Sequence, residues 1–296
     1  MPTTVLWPTL LGTCFLIAGM VAYWRDDRSL TARNGFGLMA FGPAFIAAGL
    51  AAFAGEHFTI AATIASLVPK WIPGRLFIAY FVGVAHLAAA LSFVARRYVR
   101  WSSICLALMF AMFALLMDVP GAMAKPSALA WMLAARQATF AVSALALFAV
   151  DMRDRSSSVA HRIAKGARFW TAIVVTVYGL QHLVHPEFTP GVPSPVPFAA
   201  WVPAPQAIAY ATGIVLAVCG LMMFTRRYAV TGAAVTGALM VALTVVLYVP
   251  QYFTATNGQQ YFAALNFTFD TLLFGGTMLV IGSAIAATES PGSHPA

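Results

Sequence analysis

Seven ionisable side chains stand inside long apolar runs or at their ends: Glu56, His57, His86, Asp118, Arg136, His182 and Asp270. Carboxylates and imidazoles in such a setting can exchange protons with a bound head group, as a general acid and base do. A guanidinium can neutralise a carboxylate across two helices. An ionisable group in hydrocarbon is costly and ordinarily faces a partner or a wet cavity. These seven are therefore the first candidates for function, and the elements that hold them decide what they can do.

The chain of 296 residues is 61% hydrophobic and 9% charged, with a mean hydropathy of +0.82. A water-soluble domain carries roughly 25% charged residues. Its apolar runs approach the length of about 20 residues that a membrane span needs. They lack the two-residue alternation of a membrane barrel, so the spans must be helices. The reading is an all-α polytopic membrane protein of about nine transmembrane helices, near 5–24, 35–58, 74–95, 101–123, 127–150, 167–185, 205–224, 231–253 and 262–287.

The formal net charge of +8 is distributed by topology. Thirteen of the seventeen basic residues follow the first, third, fifth and seventh runs. Lys and Arg favour cytoplasmic loops, which predicts an external N-terminus and a cytoplasmic C-terminus in a bacterial-type inner membrane. That distribution argues against a nucleic-acid partner. The first run lacks a basic leader and a convincing cleavage site, and it is read as a retained anchor. Cys14, Cys105 and Cys219 fall inside runs without C-x-x-C pairing and read as small packing residues.

A shift of 130 residues places Trp71-Ile72-Pro73 on Trp201-Val202-Pro203 and Gly83 on Gly213. It also places Arg96-Arg97-Tyr98 on Arg226-Arg227-Tyr228, and Val119-Pro120 on Val249-Pro250. His57 matches His182 at a shift of 125. Such recurrence predicts two four-helix units in the same orientation, related by a twofold axis along the membrane normal. The division is an N-terminal helix and loop (1–34), a first repeat (35–150), a cytoplasmic linker (151–166), a second repeat (167–288) and a tail (289–296).

At about 1.5 Å per residue, all seven ionisable groups fall at the midplane or in the outer half of their spans. This predicts a polar pocket opening outward, roofed by loops carrying Trp71 and Trp201, each stiffened by flanking prolines. Asp118 and Arg136 are expected to pair between the fourth and fifth spans. His182 and His185, three residues apart, share a helical face, but Pro186 ends that helix, and no metal site is assigned. The segment 185–205 carries seven prolines and cannot be helical.

Gly55-Glu56-His57-Phe58, the Pro69-Lys70-Trp71-Ile72-Pro73 loop and Phe81-Val82-Gly83-Val84-Ala85-His86 resemble the DoxX-like family of four-helix membrane proteins. Arg96-Arg97 and the later Leu273-Phe274-Gly275-Gly276 stretch extend the resemblance. It covers roughly residues 36–150 and 167–287, with Leu216 standing where the first copy has His86. The resemblance implies a membrane subunit of a quinone-linked oxidoreductase system, working with a soluble or peripheral oxidoreductase subunit. Its cofactor would be quinone, and the histidines could also serve as haem ligands. Under that reading His57, His86, Asp118 and Arg136 carry the proton chemistry. Glu56, Trp71, His182, Trp201, Tyr248 and Asp270 hold the head group or small substrate. A proton-coupled or small-molecule transporter and a non-catalytic scaffold for a redox complex are the alternatives. No nucleotide-binding fingerprint or nucleophile constellation is present.

Overall fold

The computed structural model describes residues 1–26, 37–152, 157–192 and 195–289. Arg28, Arg33, Arg153, Arg155, Pro193 and the tail from 290 lie outside the described residues. In lipid every backbone amide must find its partner within its own segment, and the apolar runs accordingly become helices. They are α1 (Thr3–Asp26), α2 (Gly42–Thr59, entered through a 3-10 turn, Gly37–Phe41), α3 (Ala61–Leu67), α4 (Arg75–Ala95) and α5 (Val99–Ala124). After these come α6 (Ala128–Asp151), α7 (Ser158–Val184), α8 (Pro205–Phe224), α9 (Ala229–Thr254) and α10 (Gly258–Glu289). The protein is thus an all-α polytopic membrane protein.

Eight of these helices are long and apolar enough to cross a membrane. The ninth expected span, α7, has 27 residues and so has the length. Arg162, Lys165, Arg168, Gln181 and His182 make it more polar than the rest, and apolarity is the criterion by which it falls short.

Local sequence explains several boundaries. The Ser127 hydroxyl accepts from Ala130 N at 3.1 Å and caps α6. Pro43 and Pro205 open α2 and α8, where a missing N–H costs nothing. Inside α5 and α9 the helix widens into a π turn, at Ala114–Asp118 and Thr244–Tyr248. Each turn is followed by Val-Pro, and the Val119 and Val249 amides reach back five residues to Ala114 O and Thr244 O. Proline in a helix lacks its N–H and crowds the preceding turn; the wider turn accommodates it.

The helices pack through small residues, as membrane helices do without a hydrophobic drive between them. A Cβ on Gly276 of α10 would lie 2.7 Å from Gly42 O of α2, and one on Gly213 of α8 would lie 2.9 Å from Gly179 O of α7. The central helix is α10, which contacts α2, α6, α7 and α9, while α1 lies at the periphery on α2 and α4. The pairings α2 with α10 and α6 with α7 join the first four large helices after α1 to the last four. One end of the bundle carries Trp71 and Trp201 and is called the Trp end below. The opposite end carries Arg96, Arg97, Arg226 and Arg227.

Candidate functional site

All seven ionisable candidates lie between the middle of the bundle and the Trp end, but they form separate sets. At the centre Arg136 of α6 donates from Nη1 to Asp270 Oδ2 of α10 at 2.5 Å. The expected partner was Asp118, and the pairing differs for a structural reason. Helices α6 and α10 pack directly against one another, and Asp118 sits at the end of the α5 π turn on the wall of a groove. Among the described residues Asp118 has no ion pair, although it feels the Arg136 charge at longer range. The Asp270 side chain is nearly buried, whereas a quarter of the Arg136 side chain remains exposed. Tyr178 of α7, absent from the sequence candidates, packs beside this pair. Its hydroxyl donates to Met132 O at 3.0 Å, and its ring stacks on Phe274 at 5.5 Å.

One turn earlier on α10, Asn266 donates through Nδ2 to Glu56 Oε1 at 2.9 Å and to Phe262 O at 3.1 Å. Asn266 was also missed as a site residue. Its spacing of four from Asp270, which puts both on one helical face, was the available signal. Glu56 is buried, at 7% exposure.

His57 and His86 form a third set. Their rings meet edge to face at 5.2 Å. His57 Nδ1 lies 2.8 Å from Phe53 O, the arrangement of a ring N–H donating to a carbonyl. Among the described residues the buried His86 has no hydrogen-bond partner at either nitrogen, and it faces the Phe110 and Phe113 rings. Gly83 permits this contact: a Cβ there would stand 2.7 Å from His57 Cβ.

The fourth set belongs to the proline-rich strap between α7 and α8. His182 Nε2 lies 3.1 Å from Gly191 O and 3.3 Å from Gly191 N. The Tyr248 hydroxyl donates to Pro190 O at 3.0 Å. Gly191 has a φ of +149°, and a Cβ there would come within 3.0 Å of the Tyr248 hydroxyl. The strap closes on itself through Thr189 N to Val196 O and Thr189 Oγ1 to Pro197 O. His57 and His182 therefore do not occupy matching places. Gly83 faces His57, whereas its counterpart Gly213 faces Leu183.

Two recesses open at the Trp end. A broad open groove of about 640 Å³ is lined by Leu67, Trp71, Leu115, Leu116, Met117 and Asp118, with Pro69, Pro120 and Gly121 at its edges. Trp71, in its wall, is 70% exposed. A smaller recess of about 190 Å³ lies under the strap, walled by Gln181, His182, His185 and Phe188. Neither is lined by Glu56, Arg136 or Asp270. Neither of these two recesses gathers all seven groups, and Trp71 with Asp118 are the two candidates that share the wider one. No group of three or more His, Cys, Asp or Glu residues that could hold a metal occurs among the described residues.

The groove is apolar except for one carboxylate. Leucine and methionine side chains offer apolar contact, Asp118 offers an acceptor for a hydroxyl, and Trp71 offers a ring face. No protein-family model, curated protein or solved structure matches the chain.

Proposed function

We propose that the protein is the integral membrane subunit of a quinone-linked oxidoreductase system and presents the Trp71–Asp118 groove to a quinone head group. The observation that carries this reading is the groove itself. It combines apolar walls with a single half-buried carboxylate that has no ion-pair partner among the described residues. The sequence resemblance to the DoxX-like family supports the same reading. A bound quinone would supply two-electron, two-proton redox chemistry, and the electrons would come from or go to a soluble or peripheral partner subunit.

The chain's own part is to bind, orient and exchange protons. Leu115 and Leu116 would flank the tail, Trp71 would cover the ring, and Asp118 would accept a hydrogen bond from a hydroxyl and take its proton. Arg136, anchored on Asp270, keeps a positive charge behind Asp118. The basic-residue pattern supports placing the Trp end and the N-terminus outside a bacterial-type cytoplasmic membrane. The two π turns, 130 residues apart and each followed by Val-Pro, support the reading of an internal duplication.

The test is labelling of the purified protein with a photoreactive quinone analogue, with unlabelled quinone as competitor. Competable labelling should map to residues 67–71 and 115–121, and Asp118→Asn should reduce it at least tenfold. Labelling spread evenly over lipid-facing helices, or unchanged in Asp118→Asn, would remove the proposal. Proton-coupled transport is the second reading, favoured by the buried Glu56 beside Asn266. Proton uptake into proteoliposomes driven by a candidate solute would support it.

A further inference from the structure

Glu56 is a buried carboxyl inside a membrane helix, and the described residues give it no cation. Its one hydrogen bond comes from a neutral amide, Asn266 Nδ2. Arg136, the guanidinium of the central layer, is committed to Asp270.

The elements packed around Glu56 supply nothing further. Helix α1 carries no charged side chain before Arg25. Helix α4 brings His86, whose ring meets that of His57. Helix α9 brings the Tyr252 hydroxyl, which lies within hydrogen-bond distance of Thr9 Oγ1 at 3.2 Å. Helix α10 brings Asn266 and the already negative Asp270. His57 is adjacent in sequence, but neighbours at i and i+1 diverge on a helix, and its Nδ1 is turned to Phe53 O.

The central layer therefore holds one guanidinium and two buried carboxyls. An unpaired buried charge is among the costliest features a fold can contain, and such a group takes up a proton instead. We infer that Glu56 is a proton-binding site: it rests as a neutral carboxylic acid, with Asn266 holding its carbonyl oxygen and the Arg136–Asp270 pair setting when it can ionise. The bond geometry agrees, since Oε1 accepts from Asn266 and leaves Oε2 to carry the proton. Loss of that proton places a second negative charge near Asp270, so it becomes favourable when the Arg136 charge is free to serve both carboxyls. Proton uptake and release at Glu56 are thereby tied to the central ion pair. This inference does not rest on the quinone reading, because it follows from the charge count alone.

The chain has only three glutamates, Glu56, Glu187 and Glu289, which makes the test specific. Purified full-length protein is labelled with carboxyl-¹³C glutamate, and its infrared spectrum is taken at neutral pH in H₂O and D₂O. A carboxylic-acid C=O band that moves with both isotopes is expected. Glu56→Gln, which keeps an oxygen for Asn266 to donate to, should abolish that band, and Asp270→Asn, which frees the Arg136 charge, should weaken it. If the label shifts only carboxylate bands in the wild type, the inference is overturned without recourse to a variant. A glutamic-acid band that persists at full intensity in Glu56→Gln overturns it equally.

Discussion

Asp118 and Tyr248 occupy the same place on two π turns 130 residues apart, and their surroundings differ completely. Asp118 ends the turn Ala114–Asp118 and opens onto a groove of about 640 Å³. Tyr248 ends the turn Thr244–Tyr248, is wholly buried, and is tied to the strap at Pro190. The strap, with Gly191 lying against the Tyr248 ring, fills the space that in the other half remains open. The loop at Trp71 is short; the one that ends at Trp201 carries the additional length that folds down as the strap. One turn is thus built for access and the other for closure. A ligand site is therefore expected in the first half, with the second half acting as its rigid support.

The Arg136–Asp270 pair joins the two halves, and its loss should cause the largest effect. Asp270→Ala leaves a guanidinium without its partner in a mostly buried place, which costs about 3–5 kcal/mol. Asp118→Ala removes a carboxylate that has no ion pair among the described residues, and it should cost no more than about 1 kcal/mol. Unfolding in detergent, followed by far-ultraviolet circular dichroism, measures both. Equal losses would mean that Arg136 divides itself between the two carboxylates and that the halves differ less than their turns suggest.

Tyr248→Phe comes next. It leaves Pro190 O without its donor in a buried place, at a cost of about 1–3 kcal/mol. Its diagnostic is local: the Thr189 amide, bonded to Val196 O, should exchange its hydrogen at least tenfold faster while amides of α10 stay protected. Slow exchange at Thr189 in this variant would show that the strap closes without the tyrosine, and the closed half would then owe its shape to the prolines.

Much of this was legible in the sequence, for identifiable reasons. Long uncharged runs can only be helices in lipid, whereas Val-Pro at a fixed interval pointed to repetition and not to the helix widening beside it. Trp71 and Asp118 were both singled out, and they line one groove because each lies at the same end of its element. The partner of Arg136 was not legible. Choosing Asp270 over Asp118 depends on how each helix is rotated about its axis, and a helix that is apolar all round carries no stripe to reveal that. The same gap hid Tyr178 and Asn266, whose roles come from α7 and α10 facing the centre. The match of His57 with His182 failed structurally because a sequence register says nothing of which side chain meets the glycine on the next helix.

Trp71→Ala and Trp201→Ala sharpen the comparison at smaller cost. Trp71 is 70% exposed and Trp201 39%, so the first should change stability by no more than about 0.5 kcal/mol. If Trp71 covers a bound ring, its loss should still lower competable quinone labelling several-fold, whereas Trp201→Ala should leave labelling near the wild-type level. Equal effects on labelling would place the second half in the site as well.

The smallest effect concerns the strap's acidic limit. Glu187 lies outside the membrane-spanning helices, and its carboxyl is held below the ordinary carboxylate range, first by its own backbone N–H and then by the His185 ring at 3.0 Å. A carboxyl lowered in the folded state contributes stability above its unfolded value, and that contribution fades as pH falls through the folded one. The strap should therefore loosen slightly on acidification below the normal carboxylate range, seen as faster hydrogen exchange at Phe188 and Thr189. In Glu187→Gln that acid-dependent increment should vanish while exchange near neutrality changes little, because the pair is solvent-exposed and weak. Since Tyr248 and His182 hold the other side of the same strap, the increment should stay confined to its outer edge. An acid response that spread to Gly191 would mean that strap closure depends on the Glu187 charge, and the second half would then be a gate rather than a plug.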